Sequence, residues 1–142
     1  MMQFGNLDGA QNSQTFCLAT AAKRAKCSFE VTWSALSGSR VGLNIKAEDV
    51  TNTGAAAGDA VMQIYIHQRY GSASRPVRQL KGFERVALQP GETKTLTFPL
   101  GKEELKYWNP QTRQWVVEPS ELDVWAGEDS TANLHADLEV TQ

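Results

Sequence analysis

From residue 29 onward, apolar and polar positions alternate in short runs, each closed by turn-forming residues about every eight to twelve positions. This punctuation predicts an all-β fold, an antiparallel β-sandwich of about seven strands. Phe29, Val31 and Trp33 mark a first strand, and Val41, Leu43, Ile45 and Ala47 a second. Val50 falls out of that phase, which predicts a bulge near Glu48 and Asp49. The stretch Val61 to His67 is apolar on both faces, as suits a central strand buried on two sides. Phe83, Val86 and Leu88 mark a fourth strand, ended by the turn Pro90-Gly91. Leu96, Phe98 and Leu100 alternate with Thr95, Thr97 and Pro99; proline cannot donate to a ladder, so this strand lies at an edge or finishes there. Trp115 to Val117 supplies a sixth, and Leu122 to Ala126 with Leu134 to Val140 flank a turn through Gly127 and close the domain. Helical patterning is confined to a single turn in Lys102 to Trp108 and a weak signal over Thr20 to Lys26.

Residues 1–28 are rich in Gln, Asn, Ala, Ser and Thr and lack this alternation, so they read as a leader or linker, disordered, ahead of a domain at 29–142. Charge agrees with a boundary: residues 1–40 carry four positive and two negative groups, and residues 41–142 carry ten and fourteen. The net charge of -2 gives no electrostatic reason to expect nucleic acid or a membrane surface as partner. With 41% hydrophobic and 21% charged residues, the composition is that of a folded domain, and 142 residues suit one such unit. No apolar run approaches the roughly 18 residues that span a bilayer. The apolar stretch Phe16 to Ala22 precedes Lys23-Arg24, the reverse of a signal peptide's charge order, and the compartment is left unassigned. Cys17 and Cys27 fit a hairpin disulfide and two free thiols equally, and without a second pair or a nearby His they make no zinc site.

Candidate chemistry is sparse. Glu103, Glu104, Glu118 and Glu121 are the carboxylates a glycosidase pair would need, but generic spacing does not make a site. His67 and His135 form no metal-binding pattern and read as satisfied surface histidines. No nucleophile elbow or phosphate loop is present, so the sequence predicts no catalytic residue, metal or cofactor. Aromatic residues carry more weight. Trp108 and Trp115 read as packed, whereas Trp125 falls out of phase with Leu122, Val124 and Ala126 and points outward. Trp125, Trp33 and Tyr70 are the expected stacking positions for a sugar ring.

The run from Ser74 to Thr93, which contains Arg75-Pro76-Val77-Arg78-Gln79-Leu80-Lys81-Gly82-Phe83-Glu84-Arg85-Val86, strongly resembles the C-terminal fibronectin type III-like domain of glycoside hydrolase family 3, the β-glucosidases and β-xylosidases. Val50-Thr51-Asn52-Thr53-Gly54, Val61 to Ile66, Leu105 to Trp108 and Trp115 to Pro119 are similar to further family segments in order and spacing. The resemblance covers about residue 29 to the C-terminus and implies a fibronectin type III or immunoglobulin-like sandwich. Two departures stand out: Ser120 occupies a turn position where the family usually has glycine, and only Ser28-Phe29-Glu30 is similar to the segment that usually precedes the domain. The family's catalytic residues lie upstream of this module and have no counterpart here. The resemblance therefore implies a non-catalytic accessory domain that stabilises the catalytic domains of a family 3 β-glucosidase-like hydrolase, with polysaccharide as a further contact. Such parent enzymes are often periplasmic or secreted.

In the family, the Arg75 to Phe83 segment lies toward the catalytic portion, so Arg75, Arg78, Leu80 and Phe83 are expected to dock there. Burial of Leu80 and Phe83 in the domain's own core is the alternative. An orphaned docking face also predicts self-association of the isolated chain. Two other functional readings stand beside the accessory domain: a free-standing carbohydrate- or polymer-binding module, and a small glycoside hydrolase acting through surface carboxylates. Retention on insoluble glucan that weakens when Trp125 becomes Ala marks the first, and purification-resistant turnover of an aryl β-glucoside marks the second.

Overall fold

The computed structural model describes residues 50–132 and 134–140 with their side chains; before Val50, and at Thr141, it describes backbone strands only. The strands are β1 (Gln3–Phe4), β2 (Phe16–Thr20), β3 (Lys23–Cys27), β4 (Glu30–Thr32), β5 (Leu43–Asn52), β6 (Gly58–Gln68), β7 (Gln79–Leu88), β8 (Thr93–Leu100), β9 (Tyr107–Asn109), β10 (Gln114–Val116), β11 (Ser120–Gly127) and β12 (Leu134–Thr141), with one helical turn, α1 (Lys102–Leu105). One sheet runs β1-β12-β11-β6-β7, and the other contains β2-β3-β5-β4 with β8 paired to β5. All pairings are antiparallel, and β9 and β10 form a separate two-stranded hairpin. This is the fibronectin type III-like sandwich the sequence predicts. At Thr20 and from Lys23 to Lys26, the weak helical signal gives way to the antiparallel pair β2 and β3, because partner strands override a marginal local preference. Cys17 and Cys27 lie in these strands and Trp33 follows β4; all three side chains are outside the described residues.

Alternation carries the core. Leu96, Phe98 and Leu100 are buried along β8 while Thr95, Thr97 and Pro99 are exposed. On β11 the buried phase is Ser120, Leu122, Val124 and Ala126. Leu122, Val124 and Ala126 meet Met62, Ile64 and Ile66 from β6 and Leu138 and Val140 from β12 in one apolar cluster. The bulge expected near residues 48–49 is present as a register shift between Ala47 and Val50, and it returns Val50 to the core, fully buried. Among the described residues β8 pairs only with β5, so Pro99 sits on an edge strand, where a residue without an N–H is tolerated. β6 is the central strand expected, flanked by β11 and β7, although its two faces differ. Met62, Ile64 and Ile66 are in the core, whereas on the other face only Tyr65 is buried and Val61, Gln63 and His67 are half-buried.

Turn residues act through specific bonds. Asn52 is buried and serves two loops: its side-chain amide donates to the carbonyls of Ala56 and Leu88 and its Oδ1 accepts the Gly54 N–H. Its backbone pairs with Glu92 and Gly91, holding the Pro90-Gly91 turn, where Gly91 takes φ 77° without a Cβ penalty. Ser120 shows no such strain. The only non-glycine residue with positive φ among the described residues is Arg113, and Ser120 begins β11, its buried hydroxyl donating to the Tyr70 carbonyl at 2.8 Å.

Candidate docking face and aromatic hairpin

Strand β7 is an edge strand, and its departures from regular alternation build the site. The register shifts between Ile64 and Tyr65, pairing Ile64 with Gly82 but Tyr65 with Leu80, so Lys81 is the extra residue of a bulge. In an unbroken strand, Leu80 and Phe83 would point to opposite faces. The bulge instead sets Leu80 opposite Tyr65 and Phe83 opposite Gln63, two residues of the same outer face of β6. Leu80 is 46% exposed, Phe83 69% and the preceding Val77 77%, so these apolar groups do not enter the domain's core.

The inner phase of β7 is equally unusual. Val86 and Leu88 are buried, but the two inward positions before them are Gly82 and Glu84, opposite Ile64 and Met62. Without an apolar side chain there, the sandwich stays open between β7 and β8, leaving a groove of about 420 Å³ lined by Phe83, Phe98, Pro99, Lys81 and Glu104. Gly82 leaves this approach open, since a Cβ there would stand 3.2 Å from the Phe98 ring, closer than an ordinary contact. Burial, together with the nearby Arg75 charge, pushes the Lys81 ammonium pKa down, and Glu104 opposes the shift. Glu104 itself accepts the Gly101 N–H at 2.7 Å and so fixes the start of α1.

The two arginines of the segment are engaged within the domain. The Arg75 guanidinium lies 4.4 Å from the centre of the Tyr107 ring and donates to Gln79 at 3.1 Å, while its buried Nε has no hydrogen-bond partner. Arg78 lies 4.4 Å over the Trp125 ring and donates to the carbonyls of Ser130 and Ala132 at 2.6 and 2.8 Å. Trp125 does point to the outer face of β11, as its phase predicts. It is nonetheless half-buried there, with Arg78 over its ring and the His135 ring 5.3 Å away. Tyr70, 55% exposed, lies in the loop after β6.

Trp108 and Trp115 correct the expectation of packed rings. They face each other across the β9–β10 pair, 48% and 61% exposed, with ring centroids 5.8 Å apart and planes at 68°. The reason is that the hairpin spends its other face on the domain. Tyr107 and Asn109 are buried, the Tyr107 hydroxyl bonding Ser72 and the Glu118 carboxylate and the Asn109 amide donating to Ser72 at 2.8 Å. Glu118 also accepts the Ser72 N–H at 2.8 Å, and these bonds from Ser72 and Tyr107 hold its carboxyl below the usual range. Period-two reasoning misses the exposure because a short hairpin attached outside both main sheets has no second layer over its outer face.

The four candidate carboxylates have structural partners. Glu103 pairs with Lys106, Glu104 caps α1, Glu118 pins the hairpin and Glu121 pairs with Arg69 at 2.8 Å. A cluster that sequence inspection passes over lies on the outer face of β11 and β12. Asp123, His135 and Asp137 bring ligand-type atoms within 4.8 Å of one another. Arg69 already supplies their positive charge, reaching Asp123 at 2.6 Å and bonding Asp137 as well, while His135 bonds Asp123 at 2.8 Å. His67 is also satisfied, by the Pro76 carbonyl at 2.8 Å.

The Arg69 hydrogen bonds lower the Asp123 pKa from 3.8 to about 2 against the opposing effect of burial. A carboxyl whose pKa is depressed by folding stabilises the fold above its unfolded pKa and loses that contribution as pH falls through the folded one. Asp123→Asn is therefore expected to cost about 1–2 kcal/mol at neutral pH, the upper part of the shift being screened because Arg69 is partly exposed. The difference from the parent chain should shrink between about pH 4 and pH 2 and vanish below. Urea unfolding as a function of pH tests this, and a pH-independent difference would show that the ion pair is not its source.

Architecture and loop chemistry define a fibronectin type III-like domain, and comparison with known proteins places it. The family model described as fibronectin type III-like domain matches residues 60–130, and the chain belongs to that family. A periplasmic β-glucosidase of Salmonella typhimurium is 45% identical over 101 residues, 71% of this chain but 13% of the relative. A β-xylosidase of Formosa agariphila is 45% identical over 85 residues, 60% of this chain and 12% of the relative. Among solved structures, a β-glucosidase from Kluyveromyces marxianus in complex with glucose matches with a TM-score of 0.70 at 33% identity, over 83% of this chain and 14% of that one. A Listeria innocua β-glucosidase in complex with glucose gives 0.68 at 31% identity, over 81% and 16%. These relatives bear out the resemblance to the family 3 C-terminal domain, and the chain spans only a small fraction of their length.

Proposed function

We propose that this chain is a non-catalytic accessory domain of a β-glucosidase-like glycoside hydrolase and stabilises the catalytic domains by docking through the β7 edge. The observation that carries the reading is the exposed apolar set Val77, Leu80 and Phe83, the last also lining the open groove, on a chain whose matched segment is only 13% of a relative's length. Exposed apolar side chains gathered at one edge mark an interaction surface, and an unclosed sandwich offers a recess for a partner's side chains. Arg75 fits the same role. It stands half-buried beside Lys81, so a partner docked on the β7 edge would meet two cations there. The carboxylates a hydrolase would use are held instead by N–H, O–H and cationic partners within the domain.

The test adds the purified chain to the catalytic portion of a homologous β-glucosidase lacking its own C-terminal domain. Association, a raised melting temperature of the catalytic portion and no aryl β-glucoside turnover by the chain alone are the expected results. Turnover by the chain alone that survives further purification would overturn the reading, as would a catalytic portion unaffected by saturating chain.

A further inference from the structure

We propose that the β9–β10 hairpin is a carbohydrate-contact site, with Trp108 and Trp115 as an aromatic corner for a β-linked polysaccharide of glucose or xylose units. The sugar class rests on the reading above, that the domain serves a β-glucosidase-like enzyme; the existence of the corner rests on geometry alone.

Three features build the site. Both indoles are substantially exposed and directly opposite each other in the ladder, so a ligand lying across the hairpin meets both. The two rings meet edge to face at 68°, and with 48% and 61% of Trp108 and Trp115 exposed a ligand can reach both indoles. The support is rigid: Tyr107 and Asn109 anchor the inner face through Ser72 and Glu118, and Asn109 Oδ1 accepts the N–H groups of Gln111 and Thr112 in the turn. An aromatic pair held this way loses little freedom on binding.

The rim decides between a sugar and a protein as occupant. Protein-docking cores are depleted in charge and extend as continuous apolar surface. Here the Lys106 ammonium lies over one face of the Trp115 ring, 5.7 Å from its centre, and the chain between the two indoles carries the exposed Gln111, Thr112, Arg113 and Gln114. Indole faces suit the C–H faces of a pyranose, and amide, hydroxyl, ammonium and guanidinium groups suit its ring of hydroxyls. The β7 edge differs: its exposed side chains Val77, Leu80 and Phe83 are apolar, beside a groove whose lining mixes Phe98 and Pro99 with Lys81 and Glu104. The two surfaces therefore fit different partners.

The experiment measures retention of the full chain on insoluble β-glucan and xylan, and quenching of its tryptophan fluorescence by soluble oligosaccharides of each. Saturable binding is expected, weakened about tenfold by Trp115→Ala and further by the double variant with Trp108→Ala. Phe83→Ala should bind sugar unchanged. Melting temperatures of the tryptophan variants establish that they fold, and Trp115→Phe, which retains a ring, should recover part of the affinity. Retention no greater than that of a non-binding control protein overturns the proposal, as does binding unchanged in the double variant. If the tryptophan variants bind sugar normally but lose association with the catalytic portion, the hairpin belongs to the docking face and the sugar assignment fails. The Phe83 variant and the catalytic-portion assay separate that failure from failure of the accessory reading.

Discussion

A chain carrying Leu80→Asp and Phe83→Asp together is expected to lose association with a homologous catalytic portion by roughly a hundredfold or more, while unfolding within about 1 kcal/mol of the parent. The contrast follows from position. Both side chains are on the outer face of β7, 46% and 69% exposed, so replacing them leaves no cavity and strands no buried partner. In a docked complex, the same positions would place two carboxylates in a desolvated apolar contact, where each costs far more than in water. Titration by light scattering or calorimetry reads the first effect and urea denaturation the second. The same variant should abolish any self-association of the isolated chain, since the patch is the surface that would drive it. Unaltered association with the catalytic portion would show that the β7 edge is not the docking face.

Ile64→Ala should have the opposite profile. It should cost about 2–5 kcal/mol, a large part of the stability of a domain this size. Ile64 is 1% exposed, and its strand is paired on both sides, with Ala126 of β11 and Gly82 of β7. Gly82 has no side chain with which to collapse onto the vacancy. The cavity would therefore persist and lie next to the existing groove. A midpoint shift at constant denaturant dependence identifies a loss of stability rather than a change in the unfolded chain. A change below about 0.5 kcal/mol would mean that the β6–β7 region repacks, and that the groove is plastic.

These two outcomes turn on adjacent ladder positions, Ile64 opposite Gly82 and Gln63 opposite Phe83, and the sequence resolves only one of them. Ile64 belongs to an alternating run whose period predicts burial directly. Phe83 stands three residues from Leu80, a spacing that assigns opposite faces until the bulge at Lys81 is known. Arg75 and Arg78 show the same limit. Their charge suggests an outward partner, yet the fold brings the Tyr107 and Trp125 rings beneath them from distant strands. The Arg69 cluster gathers Glu121, Asp123 and Asp137 from two other strands, and no local motif announces it.

Local pattern therefore determined what depends on near neighbours: the all-β class, the edge placement of Pro99, the bulge before Val50, the Pro90-Gly91 turn and the alternating core. Family resemblance extended this to the domain's identity. Tertiary structure alone decided which aromatic rings are covered, because cover comes from other strands. Arg78 and His135 close over Trp125, while Trp108 and Trp115, on a hairpin outside both sheets, keep their outer face to solvent. It also decided that Leu80 and Phe83 share a face, since a single inserted residue reverses the alternation on which a linear reading depends.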